Sequence, residues 1–92
     1  MTTQDLSALA EVHAVLAKHG LEKRFGVRMN HAHFPLQPGE MLHETHDKSS
    51  RTMTISARKT SDIPAEATPT QWHFDANGLP VADQYCCDPP AA

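Results

Sequence analysis

From Asp5 to His19 the chain carries neither glycine nor proline, whereas after Gly20 it is interrupted at Gly26, Pro35, Pro38, Gly39, Pro64, Pro69, Gly78 and Pro80. That contrast allows one ordinary helix, at the start, and short segments after it. Leu6, Leu9, Val12 or His13, and Leu16 recur at helical spacing and give a single apolar stripe. Thr2 or Thr3 can cap the first turn, with Asp5 placed to favour the helix dipole. Lys18 and His19 suit the other end, and Gly20 can terminate it in the left-handed conformation. The predicted helix covers about 4–19.

The remainder reads with a period of two. Over about 24–34, Phe25, Val27, Met29, His31 and His33 alternate with Arg24, Gly26, Arg28, Asn30 and Ala32. A turn at Pro35–Gly39 leads to a second strand at about 40–46, and the polar run Asp47–Ser50 leads to a third at about 51–58. A long loop occupies 60–69. Strands at about 71–75, with Trp72 and Phe74, and at about 81–87 flank the Asn77-Gly78 hairpin signal, and 88–92 is a tail. The expectation is α+β: a single domain over 1–92, one N-terminal helix packed on an antiparallel β-meander of about five strands.

Such a domain has little with which to build a core. Leu, Ile, Val and Phe together number only sixteen of the 92 residues. A small chain with so few strong apolar groups gains by burying a face against a copy of itself, so a homodimer is expected. A net charge of -3 with scattered Lys and Arg argues against a nucleic-acid partner. No stretch reaches the ~20 apolar residues of a membrane span, and the N-terminus lacks the pattern of a secretory signal, so a cytoplasmic location is expected. Cys86 and Cys87 are adjacent. Across a trans peptide a bond between them is strained, so no structural disulfide is expected, in keeping with a reducing compartment, and a soft metal ligand or a redox thiol is the alternative role.

The chemistry lies in seven histidines. If Pro35 and Glu40 flank the first turn, His33 falls opposite Leu42, His31 opposite Glu44 and Met29 opposite His46. If Asp47–Ser50 form the next turn, Leu42 falls opposite Ile55 and Glu44 opposite Met53. These registers put Phe25, Val27, Met29, Leu42, Met53 and Ile55 on one buried face together with His31, His33, Glu44 and His46. Three imidazoles and a carboxylate suit a divalent transition metal, Zn, Ni, Cu or Fe. His31, His33, Glu44 and His46 are therefore the predicted ligands, with His43 the substitute if the register slips by one. Open positions on such an ion support metal-assisted chemistry. Without a metal, Glu44 is the candidate catalytic group, orienting His31 as a general base.

The His-x-His strand with a glutamate and a later histidine is similar in chemistry to the metal set of cupins. Here the gap from His33 to Glu40 is longer, the later histidine comes early, and the chain is too short for that barrel. The run Arg24-Phe25-Gly26-Val27, then His31-Ala32-His33-Phe34, Gly39-Glu40, Glu44-Thr45, the Thr-Met-Thr-Ile strand and Trp72…Asp75, resembles small uncharacterised bacterial and fungal proteins. That resemblance implies no activity, ligand or partner.

Two further expectations concern the same residues. Protonating every histidine would carry the net charge from -3 to about +4, which makes acid-induced destabilisation an expected property. The rival to metal binding is a non-enzymatic interaction or accessory protein, which docks a protein partner through the surface around Trp72 and Phe74 and keeps its histidines for structure.

Overall fold

The computed structural model describes residues 1–87. Its elements are helix α1 (Thr3–Lys18) and strands β1 (Glu40–Asp47), β2 (Thr52–Lys59), β3 (Thr68–Phe74) and β4 (Pro80–Cys86), with a 3₁₀ turn at Thr60–Asp62. The tail expected at 88–92 lies outside the described residues. Two compact units divide the chain, Met1–His31 and the part from Ala32 onward.

In the first unit the helix begins and ends as its sequence dictates. Thr2 is the N-cap: its hydroxyl accepts from the Asp5 N–H at 3.0 Å while the Asp5 carboxylate accepts from the Thr2 N–H at 2.9 Å, a complete capping box. The Thr2 N–H, and then its hydroxyl, hold the Asp5 carboxyl below the usual carboxylate range. At the other end Gly20 takes φ +69°, its N–H reaches the Ala17 carbonyl at 3.0 Å, and the Leu21 N–H reaches Leu16 at 2.8 Å. That is a Schellman ending, which glycine enters without a steric cost.

The second unit is a four-stranded sheet in the order β2-β1-β4-β3. β1 pairs antiparallel with β2, β3 antiparallel with β4, and β1 runs parallel to β4. The predicted five-strand antiparallel meander is corrected here to four strands in a mixed sheet. The missing strand is 24–34. β1 has two edges, one taken by β2 and the other by β4, so none remains for that segment. Its backbone turns instead at Leu21, whose carbonyl accepts from both Arg24 and Phe25.

The β2–β3 connection explains the mixed topology. A short turn would lay β3 beside β2, but residues 60–67 carry the chain to the far edge, so that β4 returns against β1. The link is anchored where it starts: the Thr60 N–H and hydroxyl both donate to the Gly39 carbonyl, at 2.9 and 2.8 Å, tying the end of β2 to the entry of β1. β3 begins earlier than 71 and includes Pro69, which an edge strand tolerates. The Asn-Gly signal is realised between β3 and β4, where Asp75 Oδ1 accepts from the Asn77 and Leu79 N–H groups at 2.8 and 2.9 Å. Gly78 supplies the φ of +78° that this loop needs.

The β1–β2 register also shifts. Glu44 faces Ile55, His46 faces Met53 and Leu42 faces Ala57, two positions from the expected pairs. Asp47 belongs to the strand rather than the turn, and Arg51, at φ 56°, belongs to the turn rather than the strand. A shift of two keeps side-chain parity, so Leu42, Glu44, His46, Met53 and Ile55 do share a face. That face is not a buried core. Among the described residues no hydrophobic side chain is buried; Met29 is 79%, Met53 64% and Ile55 45% exposed, and the buried side chains are His43 and Gln84. No helix of the described residues is long and apolar enough to cross a membrane.

Candidate functional site

The central seam of the sheet is where side chains crowd. β1 and β4 run parallel with Leu42 beside Gln84, His43 beside Tyr85 and Glu44 beside Cys86. Paired residues share a face, so Glu44, Gln84 and Cys86 emerge together on one side, and His43 and Tyr85 on the other.

On the first side the Glu44 carboxylate has a distinct partner for each oxygen. Gln84 Nε2 donates to Oε1 at 3.1 Å, and Gln84 itself is only 1% exposed, so this donor is fixed by its surroundings. Oε2 faces sulfur: Cys86 Sγ at 3.3 Å and Cys87 Sγ at 3.8 Å. All three donor residues are half-buried, and one carboxylate oxygen and the two sulfurs lie within 4.8 Å of one another. The two sulfurs lie against one another. As thiols, both can donate to Oε2.

The predicted ligand set is distributed differently. Glu44 and His46 share a face of β1, with His46 exposed beside Met53. His31 and His33 lie on irregular chain before β1, both exposed. The His31 ring is engaged locally, with Nδ1 3.0 Å from the Met29 carbonyl, while the Arg28 guanidinium donates to the His31 carbonyl at 3.3 Å. The cross-strand pairings His31–Glu44 and His33–Leu42 do not occur, because 24–34 is not a strand; Glu44 has Ile55 and Cys86 as its neighbours. Among the described residues, the three-donor group that closes contains Glu44 and none of the histidines.

The opposite side of the sheet holds two further features. His43 is 2% exposed, and neither of its ring nitrogens has a hydrogen-bond partner among the described residues. Near the edge, His73 Nδ1 lies 2.5 Å from Asp83 Oδ1, an exposed pair set up by the antiparallel β3–β4 ladder. A recess of about 190 Å³ lined by Thr60, Ile63, Pro64, Ala65, Ala67 and Tyr85 offers no carboxylate, imidazole or thiol.

Comparisons with family models, with curated proteins and with solved structures return no match to this chain.

Proposed function

We propose that this chain is a small metal-binding protein whose ion, a divalent transition metal, is held by Glu44, Cys86 and Cys87 in the dithiol state. The observation that carries the reading is the closure of one carboxylate oxygen and two sulfurs within 4.8 Å, on a half-buried seam. Two thiolates and a carboxylate repel one another unless a cation sits among them, and a dication neutralises most of that charge. Thiolate donors favour zinc and other thiophilic ions over magnesium or calcium. Gln84 supplies the outer hydrogen bond that aims a ligating carboxylate. Three protein donors leave a further position on a tetrahedral ion, the arrangement that permits metal-assisted chemistry. In this reading Glu44 is a ligand rather than a general base, and a cytoplasmic location fits thiols kept reduced.

The test is titration of cobalt(II) into the reduced full chain, followed by thiolate-to-cobalt charge-transfer absorption. One ion per chain is expected, with binding lost in Cys86→Ser and weakened in Glu44→Gln. Binding that survives Cys86→Ser but disappears in His31→Ala and His46→Ala would return the ion to the histidine set, and no binding at all would end the metal reading.

A second reading rests on a separate observation. Met53 and Ile55 on β2 and Trp72 and Phe74 on β3 are exposed, and by register they stand on the same face of the sheet, at its two edges. An apolar surface of that kind serves an interaction or accessory protein, and a homodimer is its simplest form. Sedimentation of the wild type against Phe74→Ser tests it: a concentration-dependent dimer that Phe74→Ser converts to monomer supports the reading, and a monomer at every concentration removes the homodimer.

A further inference from the structure

The surroundings of Glu44 differ along the β1–β4 seam. The two strands run in the same direction, so the seam has a beginning, with Leu42 beside Gln84, and an end, with Glu44 beside Cys86 and Cys87 following. Toward the beginning, the buried Gln84 amide occupies that side of the carboxylate by donating to Oε1. On the β2 side Glu44 meets Ile55, which has no donor atom to offer. Along the seam, the approach left to a further ligand is from its end.

The next residue of β1 on that face is His46. Two residues along a strand place it about 6.6 Å from Glu44, with its side chain on the same side. Glu44-Thr45-His46 thus has the same-face spacing of a His-x-His strand, which offers one ion two donors from one side. The His46 ring is exposed, and among the described residues no hydrogen bond or ion pair holds it. Asp47 is the other donor near that end, but its parity is opposite and its carboxylate accepts from Ser49 and Ser50. A neutral imidazole also adds no further repulsion to two thiolates and a carboxylate.

We infer that His46 is the fourth ligand of the ion held by Glu44, Cys86 and Cys87. The inference rests on the metal reading above and adds what occupies the position that three donors leave free. With His46 in place the ion has four protein donors in the closed arrangement of a structural site, and it fastens the outer end of β1 to the end of β4. Of the four histidine-set residues expected from the sequence, Glu44 and His46 then serve one ion, with the two cysteines in place of His31 and His33.

The experiment uses the reduced full chain loaded with zinc and examined by X-ray absorption. The expected result is sulfur at about 2.3 Å and nitrogen or oxygen at about 2.0–2.1 Å, with the outer scattering of one imidazole. His46→Ala should lose the imidazole signal. In competition with a chromophoric chelator it should bind zinc at least about 100-fold more weakly, beyond the usual cost of losing an outer partner. Free imidazole added to cobalt(II)-loaded His46→Ala should restore the wild-type visible spectrum, which a merely structural role for His46 would not allow. Circular dichroism checks the fold, and His73→Ala, on the opposite side of the sheet, should bind as wild type does.

Zinc bound by the wild type without an imidazole, or with equal affinity in His46→Ala, overturns the inference and leaves the metal reading in place. An imidazole signal that persists in His46→Ala overturns it too, by giving the position to another histidine. Met53 stands across from His46 and carries a thioether. Affinity lost in Met53→Leu but kept in His46→Ala gives the position to that sulfur and also overturns the inference. Failure of the wild type to bind zinc removes the metal reading and the inference together.

Discussion

Gln84 and Glu44 are forty residues apart in the chain, yet the amide of one donates to the carboxylate of the other at 3.1 Å across the parallel β1–β4 seam. The bond fixes which carboxylate oxygen faces the sulfurs. Gln84→Met retains the volume and removes the donor. We expect the reduced variant to bind cobalt(II) about 10–100-fold more weakly than wild type, the usual cost of losing an outer partner of a ligand. A circular-dichroism melt confirms that the variant folds; unchanged affinity in a folded variant would mean Gln84 does not position the carboxylate.

Arg51 closes the β1–β2 turn with φ 56°, in the region that favours glycine. Arg51→Gly relieves a steric cost of about 1–2 kcal/mol and adds about 0.5–1 kcal/mol of chain entropy, so a net stabilisation of about 0.5–1 kcal/mol is expected. Arg51→Val should act in the opposite direction. Urea denaturation of the three proteins checks the order, and a glycine variant less stable than wild type would refute it.

Acid should weaken the fold through two carboxylates. The Ser49 hydroxyl, followed by the Ser50 and Ser49 backbone N–H groups, holds Asp47 below the usual carboxylate range, and the Thr2 capping box does the same for Asp5. A carboxyl whose folded-state pKa is depressed stabilises the fold above its unfolded value, near 3.9, and loses that contribution as pH falls through the folded value. Both contributions should be intact at pH 5 and decline as pH falls below about 4 toward the lowered folded-state values. Asp47→Ala should lower the melting temperature at pH 6 and narrow its difference from wild type at pH 3. An equal deficit at both pH values would exclude the charged form of Asp47 as the cause.

Thr2→Ala removes the hydroxyl that accepts from Asp5 N–H. A lost N-cap costs about 1 kcal/mol, and α1 has no buried residue to compensate. The helical signal at 222 nm should fall at 25 °C, with Thr2→Asn retaining it. Equal signals in all three proteins would count against the cap.

His43 buries two ring nitrogens that have no hydrogen-bond partner among the described residues. Each unsatisfied buried group costs about 1–3 kcal/mol, so His43→Leu should be neutral or raise the melting temperature. A large fall would show that the imidazole is held by an interaction that leucine cannot make.

The local signals in the sequence coincide with the ends of elements. Thr2, Asp5 and Gly20 mark the ends of α1, and Asn77-Gly78 marks the β3–β4 turn, because caps and tight turns are decided by adjacent residues. What lay beyond reach was partner choice between distant strands. The alternation in 24–34 is as good a strand pattern as any in the chain, but β1 pairs on both sides with other strands. The candidate site followed the same division. Glu44 stands both in the predicted histidine set and beside the two cysteines, whereas Cys86 and Cys87 reach it through a parallel pairing that no local pattern encodes.

The strand order β2-β1-β4-β3 also sets a sequence of events. β1–β2 and β3–β4 are hairpins whose contacts close over short stretches of chain, so each can form early. The seam between them closes a far longer loop and is the slower contact to make. Glu44 comes from one hairpin, and Gln84, Cys86 and Cys87 from the other or its immediate end. Neither hairpin alone assembles the three donors, so an ion captured there would register that the two halves have met and would hold them together afterwards.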